Sequence, residues 1–290
     1  MHFIDPIPNE QPPEAVPAET VTTIGHGQDL LQASPIEPVP GPSRDEAVVD
    51  LVDVALVTLV AFFSVILCGV VALAVVYSSP GARNVEARDL ARDALVIIPA
   101  QFVAYLMVVA FMVFIVAVRH GSAFLKGIQW NMPGPKAIMG ALGGGAALAL
   151  TSQLFSGLLQ RWIPKTLPID QYFKNPASGY LLAAFGVLVA PFVEEFFFRG
   201  FLYPALARWT GAATAIVLTA AGFSLLHQDQ LAHAWAPLLI LFVVGMVLTA
   251  IRAKTRSVAT SVLVHMGYNA TLFTILFFYT QGFRHMERLN

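Results

Sequence analysis

Long apolar runs limit this chain to a helical fold that is embedded in a membrane. They lie at about 48–77, 95–118, 137–160, 179–203, 211–227, 234–252 and 257–280. Their lengths are near the roughly 20 residues that a helix needs to cross a bilayer, although the fifth run is short and charged residues interrupt the fourth. The runs are too long, and alternate too little, to be barrel strands. The sequence therefore predicts an all-α, polytopic transmembrane helix bundle of about seven spans, within a range of six to eight.

The composition supports a multi-pass protein of the cell membrane. The chain is 57% hydrophobic and only 12% charged, about half the charged fraction of a soluble domain. A net charge of −1 gives no indication of a nucleic-acid partner, and the long apolar runs make the lipid bilayer an expected partner. The single cysteine, Cys68, excludes a disulfide framework within one chain.

The first 44 residues differ from the rest of the chain. They are rich in Pro, Glu and Gln and contain no apolar core of the kind that a signal peptide has. Such a segment cannot bury enough surface to order itself, so residues 1–44 are predicted to be a disordered tail. The domain prediction is then a transmembrane helical domain over 45–290.

A patch of small residues in the third run predicts close helix packing. It consists of Gly140, Gly143, Gly144 and Gly145. Gly140 and Gly144 have the four-residue spacing that lets two helix backbones approach each other in a membrane.

Three ionisable side chains stand inside the apolar fourth run: Glu194, Glu195 and Arg199. Each charge at the centre of a membrane helix costs about 2.5–3.5 kcal/mol on insertion scales, so an intramembrane charge indicates a functional site. On a helix, Glu195 and Arg199 lie about 40° apart, whereas Glu194 points about 100° away from Glu195. Glu195 is therefore the predicted structural partner of Arg199, and Glu194 the predicted working base. Pro191 is expected to kink the helix and to admit water.

Two later runs contribute further polar side chains. Phe223 and His227 form an F-x-x-x-H pattern near the end of the fifth run, and His265 and Asn269 share one face of the seventh. Either histidine alone is more often an ordinary interfacial or helix-bonding residue. The occurrence of E-E-x-x-x-R, F-x-x-x-H and H-x-x-x-N in this order is much more specific.

This pattern resembles the CPBP family, the CAAX protease and bacteriocin-processing (Abi) family of intramembrane endopeptidases, which is related to the type II CAAX prenyl protease. The resemblance covers about 135–280, and the run Glu194-Glu195-Phe196-Phe197-Phe198-Arg199-Gly200 matches the most diagnostic motif. It implies a catalytic core at about 179–280, in which Glu194 and His227 activate a water and His265 and Asn269 stabilise the oxyanion. The implied reaction is hydrolysis of a peptide bond in a membrane-associated or prenylated, CAAX-like substrate.

Two chemistries fit these residues. In one, Glu194, His227 and His265 are the three protein ligands of a catalytic Zn²⁺, which is why the family is commonly labelled metalloprotease. In the other, Glu194 and His227 act as a general base without a metal. The H-E-x-x-H signature of helical zinc sites is absent from the sequence, which slightly favours the metal-free version. The sequence alone establishes no cofactor, and Zn²⁺ is the candidate.

Two other functions remain open at this stage. Intramembrane Glu, Arg and His also form proton relays, so a proton-coupled transporter is one alternative. The first half of the chain, however, holds no second copy of the Glu194-Glu195 segment, as an inverted repeat would require. A catalytically silent bacteriocin-immunity or scaffold protein is the other, and the loss of a motif residue would favour it.

Overall fold

The computed structural model describes residues 49–79, 87–90 and 92–289, and within these ranges its regular structure is helical throughout. The predicted tail at 1–44 and the domain boundary at 45 lie outside the described residues. A π-helical turn, Phe196–Leu202, joins α7 to α8. The α-helices are α1 (Leu51–Ser78), α2 (Ala87–Leu90), α3 (Ala94–His120), α4 (Phe124–Gly127), α5 (Pro135–Leu158), α6 (Pro176–Leu188), α7 (Ala190–Glu195), α8 (Tyr203–Thr210), α9 (Ala212–Leu226), α10 (Trp235–Thr255) and α11 (Val258–Tyr279).

In the part of the chain that the structure describes, six helical segments are long and apolar enough to cross a membrane: α1, α3, α5, the stretch from Pro176 to Thr210, α10 and α11. The protein is therefore an integral, multi-pass membrane protein, and the all-α prediction is confirmed. The fifth apolar run forms α9, which has only 15 residues. At 1.5 Å per residue it measures about 22 Å, less than the roughly 30 Å of hydrocarbon. Among the described residues the count of full-length spans is thus six, within the predicted range of six to eight.

The start of α1 is fastened to the end of α3 by charge. Asp53 is fully buried and accepts hydrogen bonds from Arg119 and His120, the last two residues of α3. Asp50 caps α1 by accepting the N–H of Asp53 at 2.9 Å. Partial burial raises the pKa of Asp50, but its hydrogen bonds with Asp53 and the charge of Arg119 together hold that pKa below its ordinary value. These contacts fix the pairing of the first two long helices.

The fourth span is interrupted at Val189, between α6 and α7. Pro191 has no N–H to donate to Val187, four residues earlier, and Val189 has a backbone conformation of φ −118° and ψ −56°. This agrees with the kink expected from Pro191.

Beyond α7 the helix widens into the π-helical turn, in which Tyr203 N–H donates to the carbonyl of Phe198, five residues earlier. Pro204 lies directly after Tyr203 and cannot donate to Gly200, four residues earlier, as an α-helix would require. The sequence analysis did not predict this turn.

The closest helix contact in the bundle joins α5 to α11. A Cβ atom on Gly145 would lie 2.1 Å from the carbonyl oxygen of Val264, and one on Gly267 would lie 2.3 Å from that of Leu142. No neighbouring atom lies within 4 Å of the equivalent position on Gly140 or Gly144. The predicted packing role of the small-residue patch therefore belongs to Gly145, which together with Gly267 brings the backbone of α11 against α5.

The two neighbouring glycines allow a matched test of this contact. Gly145→Ala should lower the melting temperature of the detergent-purified protein clearly, because the added methyl meets backbone atoms that cannot move alone. Gly144→Ala should leave the melting temperature unchanged or raise it. Alanine is the better helix former, and the gain in stability is up to about 1 kcal/mol. Equal effects of the two substitutions in thermal unfolding would contradict the close contact.

Candidate functional site

A fully buried ion pair lies at the centre of the helix bundle. Arg199 Nη1 donates to Glu195 Oε1 at 2.7 Å, and both side chains have no exposed surface. The other two guanidinium nitrogens also donate: Nε to Thr249 Oγ1 at 3.2 Å and Nη2 to the carbonyl of Gly245 at 3.0 Å. A buried charge is tolerable only when it is paired and hydrogen-bonded, and Arg199 meets both conditions. The predicted partnership of Glu195 and Arg199 is thus present in the structure.

An aromatic ring covers the same guanidinium. The Arg199 carbon Cζ lies 4.8 Å from the centroid of the Phe223 ring on α9, a distance at which the cation attracts the π-electrons. Together with the bonds to α10, this contact connects the α7–α8 segment to two other helices.

His265 on α11 lies between the two glutamates. Its Nδ1 is 2.9 Å from Glu195 Oε1, and its Nε2 is 3.9 Å from Glu194 Oε2. Because the carboxylate of Glu195 is paired with Arg199, it can only accept, so Nδ1 must carry the proton in this bond. Glu195 therefore fixes the orientation of the imidazole and leaves Nε2 facing Glu194.

The two adjacent glutamates differ in their surroundings. Glu194 retains 12% of its side-chain surface, whereas Glu195 retains none. Ser261 lies beside Glu195, but its hydroxyl donates to the carbonyl of Leu248 at 3.0 Å, and Glu195 Oε2 has no donor among the described residues. Glu194 thus keeps some exposed side-chain surface inside the bundle, and Glu195 keeps none.

His227 is the residue directly after α9 and is half-buried. Its Nδ1 lies 2.8 Å from the carbonyl oxygen of Phe223, which can only accept. The neutral ring is therefore protonated at Nδ1, and its Nε2 keeps a lone pair. The Phe223 ring contacts both His227 and His265, with centroids 4.9 Å and 5.8 Å away. The two histidines consequently lie beside one aromatic ring without bonding each other.

Asn269 is one turn beyond His265 on α11. Its side-chain Nδ2 donates to the carbonyl of Gly186 on α6 at 2.7 Å. That bond uses one of the two amide hydrogens, and the second is available to another acceptor.

The structure brings Glu194, Glu195, Arg199 and His265 into one cluster, while His227 borders it through Phe223 and Asn269 contacts α6. Sequence reasoning missed Gly245 and Thr249, which accept hydrogen bonds from Arg199. Their four-residue spacing on one helix is a small-residue pattern in an apolar run, and it could have indicated a close helix contact.

The three predicted zinc ligands do not converge on one point in this structure. Among the described residues, no three His, Cys, Asp or Glu side chains are placed to hold a metal ion. Glu194 Oε2 and His265 Nε2 face each other at 3.9 Å, whereas His227 packs against the Phe223 ring, which also contacts His265. In this arrangement Glu194, His227 and His265 do not fit a three-ligand metal site.

Fold and site together define a polytopic membrane protein with an ionisable cluster inside its helix bundle. Residues 176–271, which hold all six predicted site residues, match the family model described as "Type II CAAX prenyl endopeptidase Rce1-like". This match supports the predicted assignment of the chain to the CPBP, or CAAX protease, family, and the family points to a protease. No curated protein and no solved structure match the chain.

The ion pair predicts unequal effects on stability for the two glutamates. Glu195→Gln should destabilise the protein by about 3–5 kcal/mol, because it leaves the buried charge of Arg199 without its partner. Glu194→Gln should change stability little, since that side chain reaches water. Thermal unfolding of both variants in the same detergent measures the difference, and equal melting temperatures would disprove the separate roles.

Proposed function

We propose that this protein is an intramembrane endopeptidase that hydrolyses a peptide bond in a membrane-associated, prenylated CAAX-like substrate. The observation that carries the proposal is the difference in surroundings between the adjacent carboxylates of Glu194 and Glu195. Glu195 is locked between Arg199 and His265, while Glu194 is left partly open to water inside an apolar bundle. A structural ion pair alone does not account for the second carboxylate.

Glu194 is the general base in this proposal. A water held between its carboxylate and the lone pair on His227 Nε2 attacks the carbonyl carbon of the scissile bond. As the new C–O bond forms, the water proton moves to Glu194 and the carbonyl oxygen becomes an oxyanion. Glu194 then gives that proton to the amine nitrogen as the C–N bond breaks, which completes the hydrolysis and regenerates the carboxylate.

His265 and Asn269 are the proposed donors to the oxyanion. The Nδ1–H of His265 already donates a hydrogen bond to Glu195. Donation to the substrate must therefore come from Nε2, which carries a proton when the ring is an imidazolium. A cationic His265 would balance the cluster, with two carboxylates opposite His265 and Arg199. The second amide hydrogen of Asn269 provides the other donor. Donors fixed in advance at the developing charge are typically the largest contribution of a protein to such a step.

The short α9 supplies a route for water. His227 follows this helix of 15 residues, and the next segment contains Gln228, Asp229, Gln230 and His233 before α10 begins. Non-helical backbone at membrane depth requires protein or water partners, so a polar segment next to a short helix favours a wet depression. The proposed nucleophile therefore need not cross the apolar part of the bundle.

The proposal predicts that Glu194→Gln abolishes turnover while the protein still reaches the membrane, because an amide cannot accept the water proton. The measurement is cleavage, followed by mass spectrometry, of a reconstituted peptide with an S-farnesyl cysteine and three further residues. Asp229→Asn, at a carboxylate that is 84% exposed, is the matched control and should cleave as the wild type does. Equal activity of the wild type and Glu194→Gln would refute the base, and a silent wild type would favour a scaffold.

Metal dependence is tested by stripping. Because the three candidate ligands do not fit one ion, cleavage should persist after treatment with a strong chelator, and the purified protein should hold far less than one equivalent of metal. Activity that is lost on stripping and restored by Zn²⁺, with a stoichiometry near one, would overturn the metal-free chemistry.

A further inference from the structure

The backbone carbonyl of Arg199 lacks a donor within its own helix. In an α-helix its partner would be the N–H of Tyr203, but that group donates to Phe198 instead. In a π-helix the partner would be residue 204, which is a proline without an N–H. Since Arg199 is fully buried, water is not an easy substitute, and an unsatisfied buried carbonyl is costly.

A second buried arginine provides the missing donor. Arg252 on α10 is 4% exposed, and its Nε donates to the Arg199 carbonyl at 3.1 Å. Its Nη2 donates to Gln129 Oε1 at 2.7 Å. Arg252 lies outside all three sequence motifs. Arg252, which lies on another helix, therefore supplies the hydrogen bond that the Arg199 carbonyl does not receive from the π-helical turn or from Pro204.

The loop after α4, in which the Gln129 side chain accepts a hydrogen bond from Arg252, is itself fixed by hydrogen bonds. Gln129 has a left-handed backbone conformation, φ +58°, and its carbonyl accepts the N–H of Val258 at 3.2 Å. Asn131 Nδ2 donates to the carbonyl of Arg256 at 2.7 Å, and Ser257 Oγ donates to that of Asn131 at 2.5 Å. The loop after α4 is thus bonded to the connection between α10 and α11.

The same loop packs against the π-helical turn. A Cβ atom on Gly200 would lie 3.2 Å from the Ile128 side chain, which is fully buried. The Trp130 ring contacts Phe192 and Phe196, with centroids 6.1 Å and 5.6 Å away. Both phenylalanines flank the two glutamates in sequence, so the loop contacts the helix on either side of Glu194 and Glu195.

We infer that Arg252 is a positioning residue that holds the π-helical turn and thereby aims Glu194 and Glu195 at His265. This inference rests on the proposed peptidase function. A π-helical turn accommodates one residue more than an α-turn, and at about 100° per residue its loss would rotate α7 relative to α8. The glutamates precede the turn directly, whereas His265 lies on a separate helix. A capped turn therefore keeps the carboxylates in register with the imidazole.

The experiment compares Arg252→Met with Arg208→Met. Arg208 is the matched control, since it too donates to a backbone carbonyl, that of Val49 at 3.3 Å, at the start of α1 rather than at the π-helical turn. On the farnesylated peptide, Arg252→Met should lower kcat roughly 100-fold, the loss typical of a displacement of about 1 Å, with KM unchanged. Arg208→Met should keep the kcat of the wild type. Arg252→Lys has a single nitrogen in place of the two that donate, so its kcat should lie between those of the wild type and Arg252→Met.

A second substitution separates capping from general stabilisation. Pro204→Ala returns an N–H to the position five residues after Arg199, so adding it to Arg252→Met should raise kcat at least tenfold over Arg252→Met alone. Amide hydrogen exchange at 196–203 should be faster in Arg252→Met than in Arg208→Met, and slower again in the double variant.

The outcomes keep the two proposals apart. Unchanged kcat in Arg252→Met, an equal loss in Arg208→Met, or no recovery with Pro204→Ala would overturn the positioning role. If the wild type does not cleave the peptide, the peptidase function fails for this substrate class, and the exchange rates alone decide whether Arg252 caps the turn: unchanged exchange in Arg252→Met overturns the inference.

Discussion

The buried bond between Arg199 and Glu195 is the constraint on which the rest of this structure depends. Two opposite charges without exposed surface are stable only when they are paired and supported by further hydrogen bonds within the protein. Arg199 reaches Gly245 and Thr249 on α10, and Glu195 reaches His265 on α11. The pair therefore dictates how α10 and α11 lie against the α7–α8 segment, and it places a histidine at a defined angle in the centre of the bundle.

From this arrangement the chemistry follows. Once Glu195 is committed to Arg199 and His265, Glu194 is the glutamate whose side chain keeps exposed surface. Adjacent residues with such different surroundings can hold different protonation roles, as acid–base catalysis requires. The close contact of α11 with α5 at Gly145 and Gly267 fixes the height of His265 and Asn269, so a packing feature and the proposed oxyanion donors share one helix.

Much of this could be predicted from sequence because it follows from local spacing. Four residues along a helix place Glu195 beside Arg199, and the high cost of charge in lipid made that run conspicuous. The family assignment followed from three motifs in order, and the family match over 176–271 supports it. Contacts between helices could not be predicted in this way, since nothing in the spacing of His265 indicates that its Nδ1 reaches Glu195.

The π-helical turn shows a second limit. Pro204 was visible in the sequence, but which carbonyl it would leave without a donor depends on whether the turn before it is α or π. The role of Arg252 depends in turn on that carbonyl and on a loop more than a hundred residues earlier in the chain. The small-residue patch shows the same limit: the sequence predicts that it packs, but Gly144 and Gly145 point to different sides of one helix, and only the neighbouring helix decides which is used.

Chemical rescue tests the central claim, the division of labour between Glu194 and Glu195, most directly. Glu194→Ala and Glu195→Ala would each be assayed for cleavage of the farnesylated peptide over a series of formate concentrations. Formate should restore turnover to Glu194→Ala, because a small carboxylate can enter a position that water reaches and accept the proton there. It should not restore Glu195→Ala, whose carboxylate position is sealed and structural. Rescue of Glu195→Ala but not of Glu194→Ala would contradict the account.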